Sequence, residues 1–341
     1  MNRKNFIRSV SMSAAVIGSV SSASAASESS DAQAIIPPYL KPGDTIGISA
    51  PAGYILDKEI QPAKLKLEEW GFKVRIGYTV GKRDFSFGGT DDQRANDLQI
   101  MIDDPNVKAI LCARGGYGVT RIMDKLSFTR FREKPKWIIG FSDITALLIH
   151  VNRNFNTASI HSKMCNSFPE NWASAEPQIQ ESILSIKQAL TGTKMKYTIP
   201  VSPMNRKGIG TGQLIGGNLS IIQNLMGTNS EIKTDGKILF LEEVAEYLYS
   251  LDRMMMNLQR SKKLDKLSGI VVGGFNRLKP DDPGEEFGRT VEEIILSKVS
   301  AYSFPVCFNF PVGHQKYNMA LKCGVKHTLT VREDTVELTE I

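Results

Sequence analysis

Cysteine is scarce and scattered in this chain. Cys112, Cys165, Cys307 and Cys323 form no CxxC pair, which argues against a zinc site, and no metal is expected. Cys112, inside Ala109-Ile110-Leu111-Cys112-Ala113, reads as a core thiol. An oxidising compartment would permit a disulfide, but a fold of this size does not need one. Long apolar runs are also missing: no segment approaches the ~18 unbroken apolar residues of a membrane span. Strong charge of one sign is absent too. The formal net charge is +6, and Arg3, Lys4 and Arg8 lie in a segment expected to be removed. The balance is too mild to argue for a nucleic-acid partner. There is no internal repeat.

At 341 residues the chain can hold one large or two ordinary domains with a substantial core. Residues 1–25 read as an export signal: a basic start, a small and moderately apolar stretch, and Ala23-Ser24-Ala25 as a small-residue cleavage site. The expected location is therefore outside the cytoplasm, in the periplasm, with the cytoplasm as the alternative if the segment is not a working signal. After signal removal no stable membrane insertion is expected.

From about residue 37, strand-like and helix-like segments alternate. Strands are predicted over 44–51, 72–76, 107–112 and 137–140, and helices over 60–70, 91–102, 118–126 and 143–151. This alternation predicts an α/β fold with a parallel sheet, whose sites form at the carboxyl ends of strands. Residues 37–165 are expected to be an N-terminal α/β domain. The rhythm lapses over 166–210, apart from a helical stretch at 177–190, so this part reads as a connector. Residues 211–341 are expected to be a mixed α/β C-terminal domain, with the site between the two. Its strands are predicted at 237–241, 269–274, 305–310 and within 328–338, and its helices at 250–261 and 290–300.

Three reactive residues stand at the ends of punctuated segments. Ser142 follows a strand in Ile139-Gly140-Phe141-Ser142-Asp143-Ile144-Thr145. A sharp turn there would lift its hydroxyl out of the sheet as a nucleophile elbow does, and the Asp143 N–H could then hold a developing oxyanion. The alternative is that Ser142 or Asp143 only caps a helix, and Ile144 stands where the G-x-S-x-G pattern has glycine. Glu242 and Glu243 end an apolar strand; alternation sends them to opposite faces, so only one should serve. A solvated acidic cluster is the plain alternative. His314 lies in Pro311-Val312-Gly313-His314, a loop of the kind that often carries function. His150 and His327 read as structural, and His161, in Ile160-His161-Ser162-Lys163, could line a cleft. Together Ser142, Glu242 and His314 supply a hydroxyl, a carboxylate and an imidazole, the set a serine hydrolase needs.

The loop Arg114-Gly115-Gly116-Tyr117-Gly118 follows a strand and precedes a helix. Its glycines allow backbone amides to approach a ligand closely. It lacks the G-x-G-x-x-G and G-x-x-x-x-G-K patterns of nucleotide loops, and a plain tight turn remains the alternative.

With these motifs in view, the chain resembles the LD-carboxypeptidase family of serine peptidases, the muramoyltetrapeptide carboxypeptidases with the microcin-immunity hydrolases as relatives. The resemblance runs from about Lys41 to Val331. It is carried by Gly43-Asp44-Thr45-Ile46 with Ser49-Ala50-Pro51, Ala113 to Gly118, Ile139 to Ala146, Gly216-Gly217-Asn218-Leu219, Leu239 to Glu243, Leu251-Asp252-Arg253, and Gly313-His314 with Asn318. It implies a Ser142–Glu242–His314 triad, with oxyanion donors from the Gly115-Gly116 turn and the Asp143 amide. Arg114 is a candidate for receiving a terminal carboxylate. The implied reaction is cofactor-free hydrolysis of the amide between the L-centre of a diamino acid and the terminal D-Ala of a peptidoglycan tetrapeptide. Rival readings are a same-triad hydrolase of a toxic peptide–nucleotide conjugate, a non-catalytic muropeptide-binding protein, and a nucleotide-binding protein using the glycine loop. Glu243 stands where the family often has Asp, and Lys322 where it commonly has Pro. A homodimer is compatible with the sequence.

Overall fold

In the computed structural model the described residues are 34–341, so the expected export signal lies outside them. Two sheets carry the fold. The first has the order β11-β5-β4-β3-β1-β2, built from β1 (Thr45–Ser49), β2 (Lys73–Ile76), β3 (Val107–Cys112), β4 (Trp137–Gly140), β5 (Ser159–His161) and β11 (Leu321–Cys323). Its strands β1 to β5 pair in parallel, and β11 adds to β5 antiparallel. Crossovers run through α1 (Asp57–Glu69), α2 (Asp91–Asp103), α3 (Val119–Ile122), α4 (Thr129–Glu133) and α5 (Thr145–Phe155). Thr90 and Gln93 form a capping box that starts α2, the reciprocal side-chain and backbone bonding that satisfies N-terminal donors.

After α6 (Pro177–Leu190), the second sheet follows the order β10-β9-β8-β7-β12-β13-β6. Its strands are β6 (Lys196–Ile199), β7 (Gly208–Asn218), β8 (Ile238–Val244), β9 (Gly269–Asn276), β10 (Val306–Cys307), β12 (Lys326–Val331) and β13 (Val336–Glu340). The run β7 to β10 is parallel, while β12, β13 and β6 are antiparallel, so this sheet is mixed. Its helices are α7 (Leu219–Asn224), α8 (Leu248–Arg260) and α9 (Val291–Lys298).

The central parallel strands, β3 and β8 among them, are apolar on both faces because helices cover both. Along β3, Ala109 and Leu111 join one core while Ile110 and Cys112 join another. In β8, Ile238 and Phe240 join the first core, and Leu239 and Leu241 the second. Both cores thus span both sheets. Truncating a fully buried leucine such as Leu111 to alanine costs about 2–5 kcal/mol.

Several elements differ from the sequence-based expectation. The 305–310 run is a strand only over Val306–Cys307, and 328–338 divides into the β12–β13 hairpin. The helix predicted at 118–126 is one α-turn followed by a 3-10 turn. Lys322 lies in β11, wholly buried, with Nζ 3.0 Å from Glu340 Oε2 and 2.9 Å from the Thr193 carbonyl. It thereby ties the edge of the first sheet to β13 of the second. The four cysteines are buried free thiols. Among the described residues no helix is long and apolar enough to cross a membrane.

Candidate active site

Ser142 sits two residues beyond the last residue of β4, after Phe141, and is the first residue of a 3-10 turn (Ser142–Ile144) that runs into α5. Its φ is +62°, a left-handed backbone that costs a side-chain-bearing residue roughly 1–2 kcal/mol and turns the hydroxyl out of the sheet. Gly140 makes this turn possible from the other side. A Cβ there would stand 2.9–3.0 Å from the side chain of Ile144. The bulk that departs from the G-x-S-x-G pattern is thus accommodated over the first glycine.

His314 reaches Ser142 from the loop after β10. Its Nε2 lies 3.0 Å from Ser142 Oγ, and its Nδ1 lies 2.6 Å from Glu242 Oε2. The Glu242 side chain is fully buried, and that of His314 is 20% exposed. A carboxylate only accepts hydrogen bonds, so Nδ1 carries the proton that faces Glu242. Nε2 is then free to accept from the serine hydroxyl. The loop is held by Gly313 N–H donating to Asn318 Oδ1 at 2.9 Å and by Asn276 Nδ2 donating to the His314 carbonyl at 3.0 Å. The Phe141 ring lies 4.9 Å from the imidazole.

The two adjacent glutamates divide as strand alternation requires. The β8–β9 register shifts between Leu241 and Glu243, the kind of irregularity that re-aims a side chain near functional sites. Glu242 faces the imidazole. Glu243 accepts from Asn218 Nδ2 at 2.9 Å, Ser220 N–H at 2.6 Å and its neighbour Val244 N–H at 2.8 Å, anchoring the start of α7.

The glycine loop lies directly against the serine. A Cβ on Gly115 would stand 3.0 Å from Ser142 Cβ and 3.2 Å from its Oγ, so a side chain there would displace the hydroxyl. Gly116 has φ +107°, and Gly115 accepts the Gly53 N–H at 2.9 Å. The Asp143 N–H belongs to the second residue of the 3-10 turn, where the first donors have no intrahelical acceptor. Its carboxylate points elsewhere: it accepts Val119 N–H at 2.8 Å and so fixes the helix that follows the glycine loop. Burial raises this carboxyl to about 6, against the Val119 hydrogen bond that lowers it. Arg94, fully buried, braces the same loop through the carbonyls of Pro51 at 2.6 Å and Gly118 at 2.8 Å. Arg114 donates to the Tyr54 carbonyl at 3.1 Å, with its guanidinium 5.7 Å from the Tyr54 ring.

His161 is wholly buried, its ring edge-on to Phe240 at 5.1 Å and to Phe141 at 5.9 Å. Burial pushes it down to about 4; Glu242 opposes that shift and His314 reinforces it. His150 bonds Ser230 Oγ at 2.8 Å, and His327 bonds the Val325 carbonyl at 2.9 Å. Both stand apart from the serine. Sequence reasoning missed Asn276 and Arg94 as supports, because neither lies in a motif and both act only through tertiary contacts.

Comparison with known proteins agrees across both halves. Residues 46–162 match the LD-carboxypeptidase N-terminal domain, and residues 211–329 match the LD-carboxypeptidase C-terminal domain. The chain is 34% identical over 301 residues to the probable murein peptide carboxypeptidase of Bacillus subtilis (strain 168), covering 88% of this chain and 92% of that protein. It is 25% identical over 328 residues to the microcin C7 self-immunity protein MccF of Escherichia coli, covering 87% and 94%. The crystal structure of muramoyltetrapeptide carboxypeptidase from Oxalobacter formigenes superposes with a TM-score of 0.77 at 27% identity, covering 87% of this chain and 98% of that one.

Proposed function

We propose that this chain, which belongs to the LD-carboxypeptidase family, is a serine carboxypeptidase that removes the terminal D-Ala from peptidoglycan tetrapeptides at the amide to the L-centre of a diamino acid. One observation carries the reading: the hydrogen-bonded run from Ser142 through His314 to the buried Glu242, with the serine on a left-handed turn.

The chemistry follows from the geometry. Ser142 Oγ attacks the amide carbonyl as its proton passes to His314 Nε2. Glu242 holds the ring through Nδ1 and stabilises the imidazolium that forms. The developing oxyanion is received by the Asp143 N–H and by an N–H of the Gly115-Gly116 turn; one such donor is worth about 10²–10³ in rate. His314 then returns the proton to the departing D-Ala nitrogen, leaving an acyl group on Ser142. Water, deprotonated by the same imidazole, releases the shortened peptide. Arg114 keeps guanidinium donors beyond its bond to Tyr54 with which to meet a carboxylate of the stem peptide. We further propose, from the basic start and Ala23-Ser24-Ala25 of the N-terminal segment, that the protein is exported to the periplasm; cell fractionation that finds it in the cytoplasm would contradict this.

The similarity to the microcin self-immunity protein supports a second reading, a hydrolase of a peptide–nucleotide conjugate. Mass spectrometry after incubation with a defined tetrapeptide, and separately with an aminoacyl–nucleotide conjugate, decides between them. Inhibitor-sensitive loss of D-Ala from the tetrapeptide supports the carboxypeptidase. Turnover of the conjugate alone contradicts it.

A further inference from the structure

Lys163 is a buried cation without an anion. Its side chain makes one hydrogen bond, from Nζ to the Gln315 carbonyl at 3.2 Å. The other lysines buried among the described residues are better supplied. Lys66 pairs with Glu69 at 2.6 Å and Lys322 with Glu340 at 3.0 Å, while Lys136 donates to the carbonyls of Met101 and Asp104. No ion pair involves Lys163 among the described residues, and burial alone lowers its ammonium, to about 8. Holding a buried charge unpaired is costly, so such a group is ordinarily compensated by an opposite charge.

Its position says where that charge would come from. Ser162 N–H donates to the Gly140 carbonyl at 3.1 Å, so the segment continues along the end of β4, the strand that presents Ser142. Met164 Cε lies 3.3 Å from where a Gly115 Cβ would be. Lys163 therefore stands between the nucleophile turn and the His314 loop, hydrogen-bonded to the residue after His314. The imidazole must return its proton to the departing amine, so the leaving group lies on that side of the serine. A carboxypeptidase substrate has a free carboxylate there, one residue beyond the scissile amide.

We infer that Lys163 is the receptor for the terminal carboxylate of the leaving amino acid, the contact that restricts cleavage to the last residue of a chain. The inference rests on the carboxypeptidase reading above. Arg114, on the Gly53–Tyr54 side of the glycine loop, is left for other carboxylates of the stem peptide.

The test compares binding in the Ser142→Ala background, where nothing turns over. Calorimetry measures a D-Ala-terminated tetrapeptide and the same peptide ending in D-alaninamide, with Lys163 intact, with Lys163→Met and with Lys163→Arg. The expected result is about 10²-fold tighter binding of the carboxylate than of the amide with Lys163 intact, the scale of a buried charge-assisted contact. That preference disappears in Lys163→Met, with amide binding changed little, and returns in part in Lys163→Arg. Equal weakening of both peptides in Lys163→Met would mean that the lysine only ties down the His314 loop, and would overturn the inference. So would a preference that survives the substitution, or no preference at all in the Ser142→Ala parent. D-Ala release by the wild type is measured alongside. If that release is absent while the Lys163-dependent preference holds, the carboxypeptidase reading fails and the carboxylate site stands.

Discussion

Gly313 and Glu242 are pressed together with no room for a side chain between them: a Cβ on Gly313 would stand 2.6 Å from Glu242 Cβ and 2.8 Å from its Oε2. Gly313 also has φ +105°, which L side chains rarely adopt. The residue before the imidazole is thus shaped by the carboxylate that orients the imidazole. Gly313→Ala must move one or the other. Because misplacement of about 1 Å costs roughly 10²-fold, kcat for D-Ala release should fall by about that factor. Thermal melting should show a loss of about 1–2 kcal/mol from the strained backbone. Full activity in Gly313→Ala would contradict the placement of Glu242.

The adjacent glutamates should separate cleanly in kinetics. Glu242→Gln keeps the shape but removes the negative charge facing Nδ1, and should lower kcat by about 10³–10⁴. Glu243→Gln touches only the Asn218, Ser220 and Val244 contacts. It should stay within about tenfold of wild type in kcat and show its effect in stability, about 1–3 kcal/mol for hydrogen bonds to a charged group. The reverse pattern in a D-Ala release assay would exchange their roles.

Much of this arrangement was legible because it follows local rules. Glycine before Ser142, the polar residues closing the apolar run of β4, and the alternation of Glu242 and Glu243 are statements about a few neighbouring residues. What stayed hidden depends on distant chain. Strand β11 gives no strand signal in its own three residues; it forms because β5 offers a free edge. The shift in register at Glu242 and the closeness of Gly313 to that side chain exist only once β8, β9 and the loop after β10 have come together. Lys163 looks like any surface lysine until α/β packing buries it.

Acid stability gives an independent check on the buried imidazole behind the site. His161 is held down to about 4 in the folded protein, against 6.5 for an ordinary histidine. Between those values the unfolded chain binds a proton that the folded chain does not, so stability is lost as pH falls from 6.5 toward 4. His327, also lowered to about 4, acts in the same direction. Asp143, raised to about 6, acts in the opposite one over part of the range, because its folded form binds the extra proton. His161→Phe suits the Phe141 and Phe240 surroundings and removes one titrating group. Its melting temperature should fall less steeply than that of the wild type between pH 6.5 and 4.5. An unchanged slope would mean that His161 is protonated in the fold.

The most direct test of the nucleophile is Ser142→Ala, followed by mass spectrometry of a defined tetrapeptide beside a melting curve. The wild type should release D-Ala. The variant should release it at least about 10³-fold more slowly while melting no lower than the wild type, since alanine removes only a hydroxyl from the left-handed turn. Normal D-Ala release by Ser142→Ala would contradict the account.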